Sequence, residues 1–164
     1  MKLLKNLLGR TTEQYRRSIR VADVMTTAIV SLRPNDTFDA AIEAIIKRNH
    51  RYLVVADDQQ KVIGLLSEKD IVGSRWHISE WHSKRVRQIM APNPTTVTSE
   101  TLLAVAISIM ISKELECVPV VTDSGTLCGM LTTIDIMKSH QRLLATTEYE
   151  PLHRTNVQDD TQRP

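Results

Sequence analysis

The chain has 164 residues, 41% of them hydrophobic and 24% charged, which suits one compact domain or two small halves sharing a core. A formal net charge of +2 makes no case for nucleic acid, and no apolar run approaches the roughly 18 residues of a membrane span. With one Phe, two Trp and three Tyr, the core has to be aliphatic.

In chain order, residues 1–20 are a basic segment: Lys2, Lys5, Arg10, Arg16, Arg17 and Arg20 stand against Glu13 alone. Its Leu3, Leu4, Leu7 and Leu8 can form one helical face, too brief to fold alone. That face suits a membrane surface or a partner; packing on the module, or fraying, is the simpler reading. From residue 21 the pattern becomes regular. A short extended run, Ala28–Leu32, leads to a helix start, where Asp36 and Asp39 offer side-chain oxygens to free N–H groups. A helix follows on Ala40, Ala41, Ala44, Ile45 and Arg48. Then come a β-branched strand, Tyr52–Ala56, a polar turn at Asp57–Gln60, a returning strand, Val62–Leu66, and a second helix from Glu68.

The same grammar recurs 65 residues later without a gap. Val24-Met25 falls on Ile89-Met90, Ala41 on Ala106, and Leu53-Val54-Val55 on Val118-Pro119-Val120. Gly64-Leu65-Leu66-Ser67 falls on Gly129-Met130-Leu131-Thr132, and Asp70-Ile71 on Asp135-Ile136. The second unit runs through an extended segment at Thr95–Thr98 and a helix start with Ser99 and Glu100. Its helix carries Ala104, Val105, Ser108, Ile109 and Ser112, and its strands are Val118–Thr122 and Leu127–Leu131. A gapless repeat of this kind is one supersecondary unit used twice, each burying a face on the other. The expected layout is repeat one at 21–78, a linker at 79–88, repeat two at 89–146, and a disordered tail at 147–164. The expected fold class is α/β, two βαββα units packed through their sheets.

Two segments stand where a strand hands over to a helix: Gly64-Leu65-Leu66-Ser67-Glu68-Lys69-Asp70 and Gly129-Met130-Leu131-Thr132-Thr133-Ile134-Asp135. The first helix turn offers unpaired N–H groups and partial positive charge, which favours phosphate. Ser67 and Thr132 sit at the N-cap, and Asp70 and Asp135 lie three residues on. A carboxylate there can accept from two ribose hydroxyls, or it can simply complete a capping box. Gly64 and Gly129 permit close backbone approach. One segment alone favours the capping reading; the repeated pair favours ligand binding.

These features, with the Val24-Met25-Thr26 and Ile89-Met90 openings and the strand Cys117-Val118-Pro119-Val120-Val121, resemble a tandem pair of cystathionine-beta-synthase (CBS) domains, a Bateman module, from about Val21 to Leu144. The resemblance implies two sheets facing each other about a pseudo-twofold axis, with two clefts that each borrow from both repeats. It implies an adenosine-containing ligand such as AMP, ADP, ATP, S-adenosylmethionine or cyclic di-AMP. It assigns ribose contact to Asp70 and Asp135, and phosphate or ribose contact to Ser67 and Thr132. Gly64, Gly129, Leu66 and Leu131 are carried over with the same two segments. Adenine falls to groups near Thr26 to Val30 and Pro94 to Thr96, with Thr26, Val30 and Thr95 as named contacts. The start of the middle strand, Arg51-Tyr52 and Glu116-Cys117, lines the clefts.

His50 and Arg51 place positive charge where Leu115 and Glu116 stand in the second repeat. One cleft then favours polyphosphates, and the other takes a nucleoside or nothing. A solvated helix end accounts for the two cations equally well.

Other signals carry little. Trp76-His77 and Trp81-His82 give no third metal ligand, so packing or partner contact is the better reading. Cys117 has no base at useful spacing for nucleophilic catalysis, and His140 and His153 join no constellation. Cys117 and Cys128 form no C-x-x-C pair and lie in apolar runs, as buried thiols of a reducing compartment do; the cytoplasm is the expected location. No enzyme activity, required cofactor or metal is expected. A regulatory sensor acting on a partner protein in trans, as a homodimer, is expected, with adenine nucleotide as regulatory ligand. The alternative is a structural or protein-interaction module with unoccupied clefts.

Overall fold

In a computed structural model of the chain, the described residues are 19–48, 50–73 and 83–147. The leucine-rich start, the Trp-His pairs, His153 and the acidic tail lie outside them. Strand β1 (Ser31–Leu32) leads through helix α1 (Phe38–Arg48) to β2 (Tyr52–Ala56), β3 (Val62–Ser67) and helix α2 (Glu68–Gly73). The second unit follows as β4 (Ala91–Pro92), β5 (Val97–Thr98), α3 (Leu103–Ser112), β6 (Cys117–Val121), β7 (Leu127–Thr132) and α4 (Thr133–Thr147). The fold is α/β, with two repeats that are each a small mixed sheet with helices. No described helix is long and apolar enough to cross a membrane.

The sheets have the orders β1-β2-β3-β4 and β5-β6-β7. In each, the short opening strand runs parallel to the middle strand, because a helix must cross over between them. The hairpin then pairs antiparallel, Tyr52 with Ser67 and Cys117 with Thr132. Both hairpins slip register at one place, Val55/Ala56 and Val120/Val121. Those positions are 65 residues apart, so the repeat extends to a β-bulge.

What the repeat does not announce is an exchange of entry segments. Val21 belongs to the core of the second repeat, with Leu103, Ala106, Val118 and Leu131. Its equivalent, Val86, belongs to the core of the first, with Phe38, Ala41, Leu53 and Leu66. The backbone follows: Val21 N–H donates to Thr101 O and Val86 N–H to Asp36 O, at 2.9 and 3.0 Å. β4 adds to the edge of β3, through Leu65 with Ala91. Thr26 bridges to Met130 of β7 in the same way. Each half is thus closed by chain from the start of the other.

The exchange also settles how the first helix of each unit is capped. Asp36 does not cap α1; its Oδ2 accepts the Arg33 N–H at 2.7 Å in the preceding turn. Thr37 Oγ1 instead accepts from Ala40 N–H, and Lys84 O accepts from Phe38 N–H. α3 begins after Leu102 without a side-chain cap, and Ile19 O accepts the Leu103 N–H at 2.9 Å. The orphan donors of a helix start are met here by carbonyls of the exchanged segment, not by Ser99 or Glu100.

Two aliphatic cores lie between sheet and helices, and a third cluster lies between the sheets. There Val54, Cys117 and Met130 are buried among Ile29, Tyr52, Val62, Leu65 and Leu127. Val54 and Val118 are fully enclosed, each worth about 1.5–3 kcal/mol relative to exposure. The third cluster closes the middle of the interface. It leaves a cleft at each side of the axis.

Candidate functional site

The larger cleft has a volume of about 370 Å³ and draws on both repeats. The entry segment supplies Thr26, Ala28, Ile29 and Val30; the α1–β2 junction supplies His50, Arg51 and Tyr52; β7 and the start of α4 supply Met130, Thr132, Thr133, Ile134 and Asp135; Glu116 closes the wall. Seven expected contacts therefore meet here: Thr26, Val30, His50, Arg51, Tyr52, Thr132 and Asp135.

Thr132 and Asp135 form a reciprocal capping box. Asp135 Oδ2 accepts from Thr132 N–H at 2.9 Å and from its hydroxyl at 2.6 Å. Thr132 Oγ1 accepts from Asp135 N–H at 3.2 Å. The Thr26 hydroxyl, 109 residues away, donates to Oδ1 at 3.1 Å. A carboxylate has about four acceptor directions, so Oδ1 keeps capacity for a hydroxyl in the cleft. Capping and ligand contact are compatible at this residue. The Arg51 carbonyl accepts from Glu68 N–H at 3.0 Å; among the described residues, the side chains of His50 and Arg51 make no hydrogen bond or ion pair.

The smaller cleft, about 230 Å³, is lined by Arg51, Tyr52, Leu65, Ser67, Glu68, Lys69, Glu114, Leu115, Glu116 and Cys117. Ser67 and Asp70 repeat the capping box, with Asp70 Oδ2 accepting from Ser67 N–H and Oγ–H, each at 2.7 Å. Asp70, however, is exposed and lies off the cleft wall. The equivalent of Thr26 is Ala91, which has no hydroxyl to offer. Thr95 is also off the wall, its hydroxyl accepting from Lys113 Nζ at 3.0 Å.

Four other expected contacts serve packing. Leu66 and Leu131 are fully buried in the two cores, on the inward face that strand alternation gives them. Gly64 and Gly129 are buried against methionines of the exchanged segments. A Cβ on Gly129 would stand 2.6 Å from Met25 Sδ and 3.2 Å from Thr26 O, and one on Gly64 would meet Met90. The close approach that these glycines permit is made by the protein itself.

Glu116 and Tyr52 stand on the partition, lining both clefts. The Tyr52 hydroxyl donates to Glu116 Oε2, and Lys69 Nζ donates to Oε1 at 2.8 Å. Lys69 holds the Glu116 carboxyl below its ordinary value, with help from the Tyr52 hydrogen bond. Burial, then Glu116, pushes the Tyr52 phenol up. Burial pushes the Cys117 thiol up to about 12, so it carries no thiolate nucleophile at neutral pH. Cys117 and Cys128 are both free, and the second is only half-buried. Among the described residues no cluster of His, Cys, Asp and Glu could hold a metal ion.

Sequence reasoning did not single out Met130, Ile134 or Lys69. The 65-residue shift could have found the last two together, since Lys69 and Ile134 are equivalent positions beside the named Asp pair.

Comparison with known proteins agrees with this architecture. The protein YtoI of Bacillus subtilis is 32% identical over 127 residues, which is 76% of this chain and 28% of that protein. The chain thus spans little more than a quarter of that relative. CBSX2 of Arabidopsis thaliana superposes with a TM-score of 0.71 at 25% identity, covering 78% of this chain and 98% of that one. CBSX2 in complex with AMP gives 0.69 at 26% identity, covering 76% and 98%. A putative acetoin utilization protein (AcuB) from Vibrio cholerae gives 0.71 at 25% identity, covering 81% and 98%. The CBS domain family matches the sequence twice, at residues 21–76 and 86–141, and the chain belongs to that family as a tandem CBS pair.

Proposed function

We propose that this CBS pair is a regulatory sensor that binds a phosphate-bearing adenosine ligand in its larger cleft and signals its occupancy to a partner in trans. One observation carries this above the rest: a single cleft gathers a ribose-ready carboxylate, a helix N-terminus and the side chains of His50 and Arg51. Asp135 offers Oδ1 to sugar hydroxyls. The first turn of α4, a helix of 15 residues, offers the positive end of its dipole, although its Thr133 and Asp135 N–H groups already donate to Glu116 O and Thr132 Oγ1. His50 and Arg51 stand opposite for phosphate, and Ile29, Val30, Met130 and Ile134 give an apolar seat for the base. The AMP complex of CBSX2 supports the ligand class. Because the wall comes from both repeats, a ligand there favours one arrangement of the halves, which is how occupancy becomes a signal.

The alternative, a structural module with empty clefts, is favoured by the smaller cleft, where Asp70 is off the wall and acids predominate. A thermal-shift screen separates the two. A nucleotide at one hundred times its Kd stabilises the fold by about 2.7 kcal/mol. AMP, ADP or ATP should raise Tm in the wild type and raise it by about half as much or less in Asp135→Ala, where tenfold weaker binding leaves about 1.4 kcal/mol. Equal melting with and without every adenine ligand would leave only the structural module.

A further inference from the structure

Glu116 occupies a position that nothing in the nucleotide reading uses. It is the pseudo-symmetric equivalent of Arg51, 65 residues on, so one site in the fold carries opposite charges in the two repeats. Its carboxylate is fixed from both sides. Lys69 holds one oxygen at 2.8 Å, and the Tyr52 hydroxyl donates to the other. Both partners belong to repeat one and line the smaller cleft; Tyr52 and Glu116 line the larger one as well, and Lys69 does not. The cation that the smaller cleft could have offered to a phosphate is therefore already paired. The remaining charges there are Glu68 and Glu114 against Arg51, which also faces the larger cleft.

We propose that Glu116 is the specificity-determining residue of the pair: a built-in anion that takes the phosphate's place on Lys69 and keeps phosphate-bearing ligands out of the smaller cleft. It rests on the nucleotide reading of the larger cleft for its ligand class. Lys69 lines the smaller cleft and not the larger one, so the donor that Glu116 occupies is lost to a phosphate in the smaller cleft alone. The chain then holds one nucleotide with high affinity where a charge-symmetric pair would hold two, and the smaller cleft admits only neutral or cationic adenosine compounds.

The test is isothermal titration with ATP on the full chain. Wild type should bind one ATP. Glu116→Gln should bind two, the second at least tenfold tighter than any second site of the wild type. Glu116→Gln with Lys69→Gln should return to one, because Lys69 is the cation set free. Far-UV circular dichroism checks that each variant is folded, and Glu116→Ala carries the same expectation if the amide variant is not. Equal stoichiometry and affinity in wild type and both Glu116 variants would overturn the proposal, as would a second site that survives loss of Lys69. If wild type binds no ATP, the reading of the larger cleft fails by itself; Glu116 then stands only if its variants gain a site.

Discussion

The two clefts share a backbone and differ in chemistry. One has Thr26 and an Asp135 on its wall; the other has Ala91 and an exposed Asp70 off its wall, while Arg51 and Glu116 line both. The carboxylates are capped alike, with hydroxyl-to-Oδ2 distances of 2.6 and 2.7 Å, so the capping box does not distinguish a binding site from a helix start. What distinguishes them is what stands across the gap, and that comes from the other repeat. Duplication preserved the frame, including its bulges and its exchanged entry segments. A few side chains then separated the two sites.

The sharpest way to show that the frames are equivalent is to damage both cores. Leu66→Ala and Leu131→Ala remove fully buried leucines at matched positions, and each should cost about 2–5 kcal/mol. Urea denaturation should find the two within roughly a kcal/mol of each other. A large gap would mean that the halves are not energetically matched.

At the clefts the symmetry should break. Asp135→Ala should weaken AMP or ATP binding by about tenfold or more, which is about 1.4 kcal/mol. Asp70→Ala should leave that affinity within about twofold, since its carboxylate is off the smaller cleft's wall. Equal losses from both, measured by titration calorimetry, would restore a symmetric pair of sites.

A smaller effect concerns the backbone beside Glu116. Helix α3 ends with Leu115 N–H donating to Met110 O and Glu114 N–H to Ile111 O, a Schellman closure whose left-handed residue is usually glycine. Here it is Glu114, at φ 54°. Glu114→Gly should relieve about 0.5–1 kcal/mol of strain. It should raise Tm and also remove one acid from the smaller cleft. A fall in Tm would contradict the strain.

A further effect is at alkaline pH. The Cys117 thiol rises from about 9 to about 12 on folding, because burial disfavours the thiolate. Its contribution to stability is complete below pH 9 and is lost as pH rises toward the folded value. Chemical melts between pH 8 and about 10 should show a decline that is reduced in Cys117→Ala. An unchanged slope would assign the decline to other groups, Tyr52 first among them.

Most of the frame was legible in the sequence, because hydrophobic period and a gapless repeat are local signals. The hairpins, α1, α3 and both strand-to-helix junctions stand where the pattern places them. The exchange of Val21 and Val86 was not legible, because it is a choice of which core to enter and leaves no period. β4, two residues ending in Pro92, is too short for one. In the site, residues 50–52 and the Thr132–Asp135 pair were named by type and place, and the fold brings them to one cleft. Asp70 was not separated from Asp135, because the two share one motif and one capping box and differ in what distant chain brings beside them, such as Thr26 beside Asp135. Leu66 and Leu131 were drawn toward the ligand by their neighbours, although strand alternation turns them inward.

The central claim is that one cleft, and not its twin, is built for a phosphate-bearing adenosine. A crystal structure of the chain grown with ATP tests it most directly. It should show the ribose on Asp135 Oδ1 and the phosphates between the start of α4 and His50–Arg51. Nucleotide seated against Ser67 and Lys69 in the smaller cleft instead, or filling both clefts equally, would contradict it.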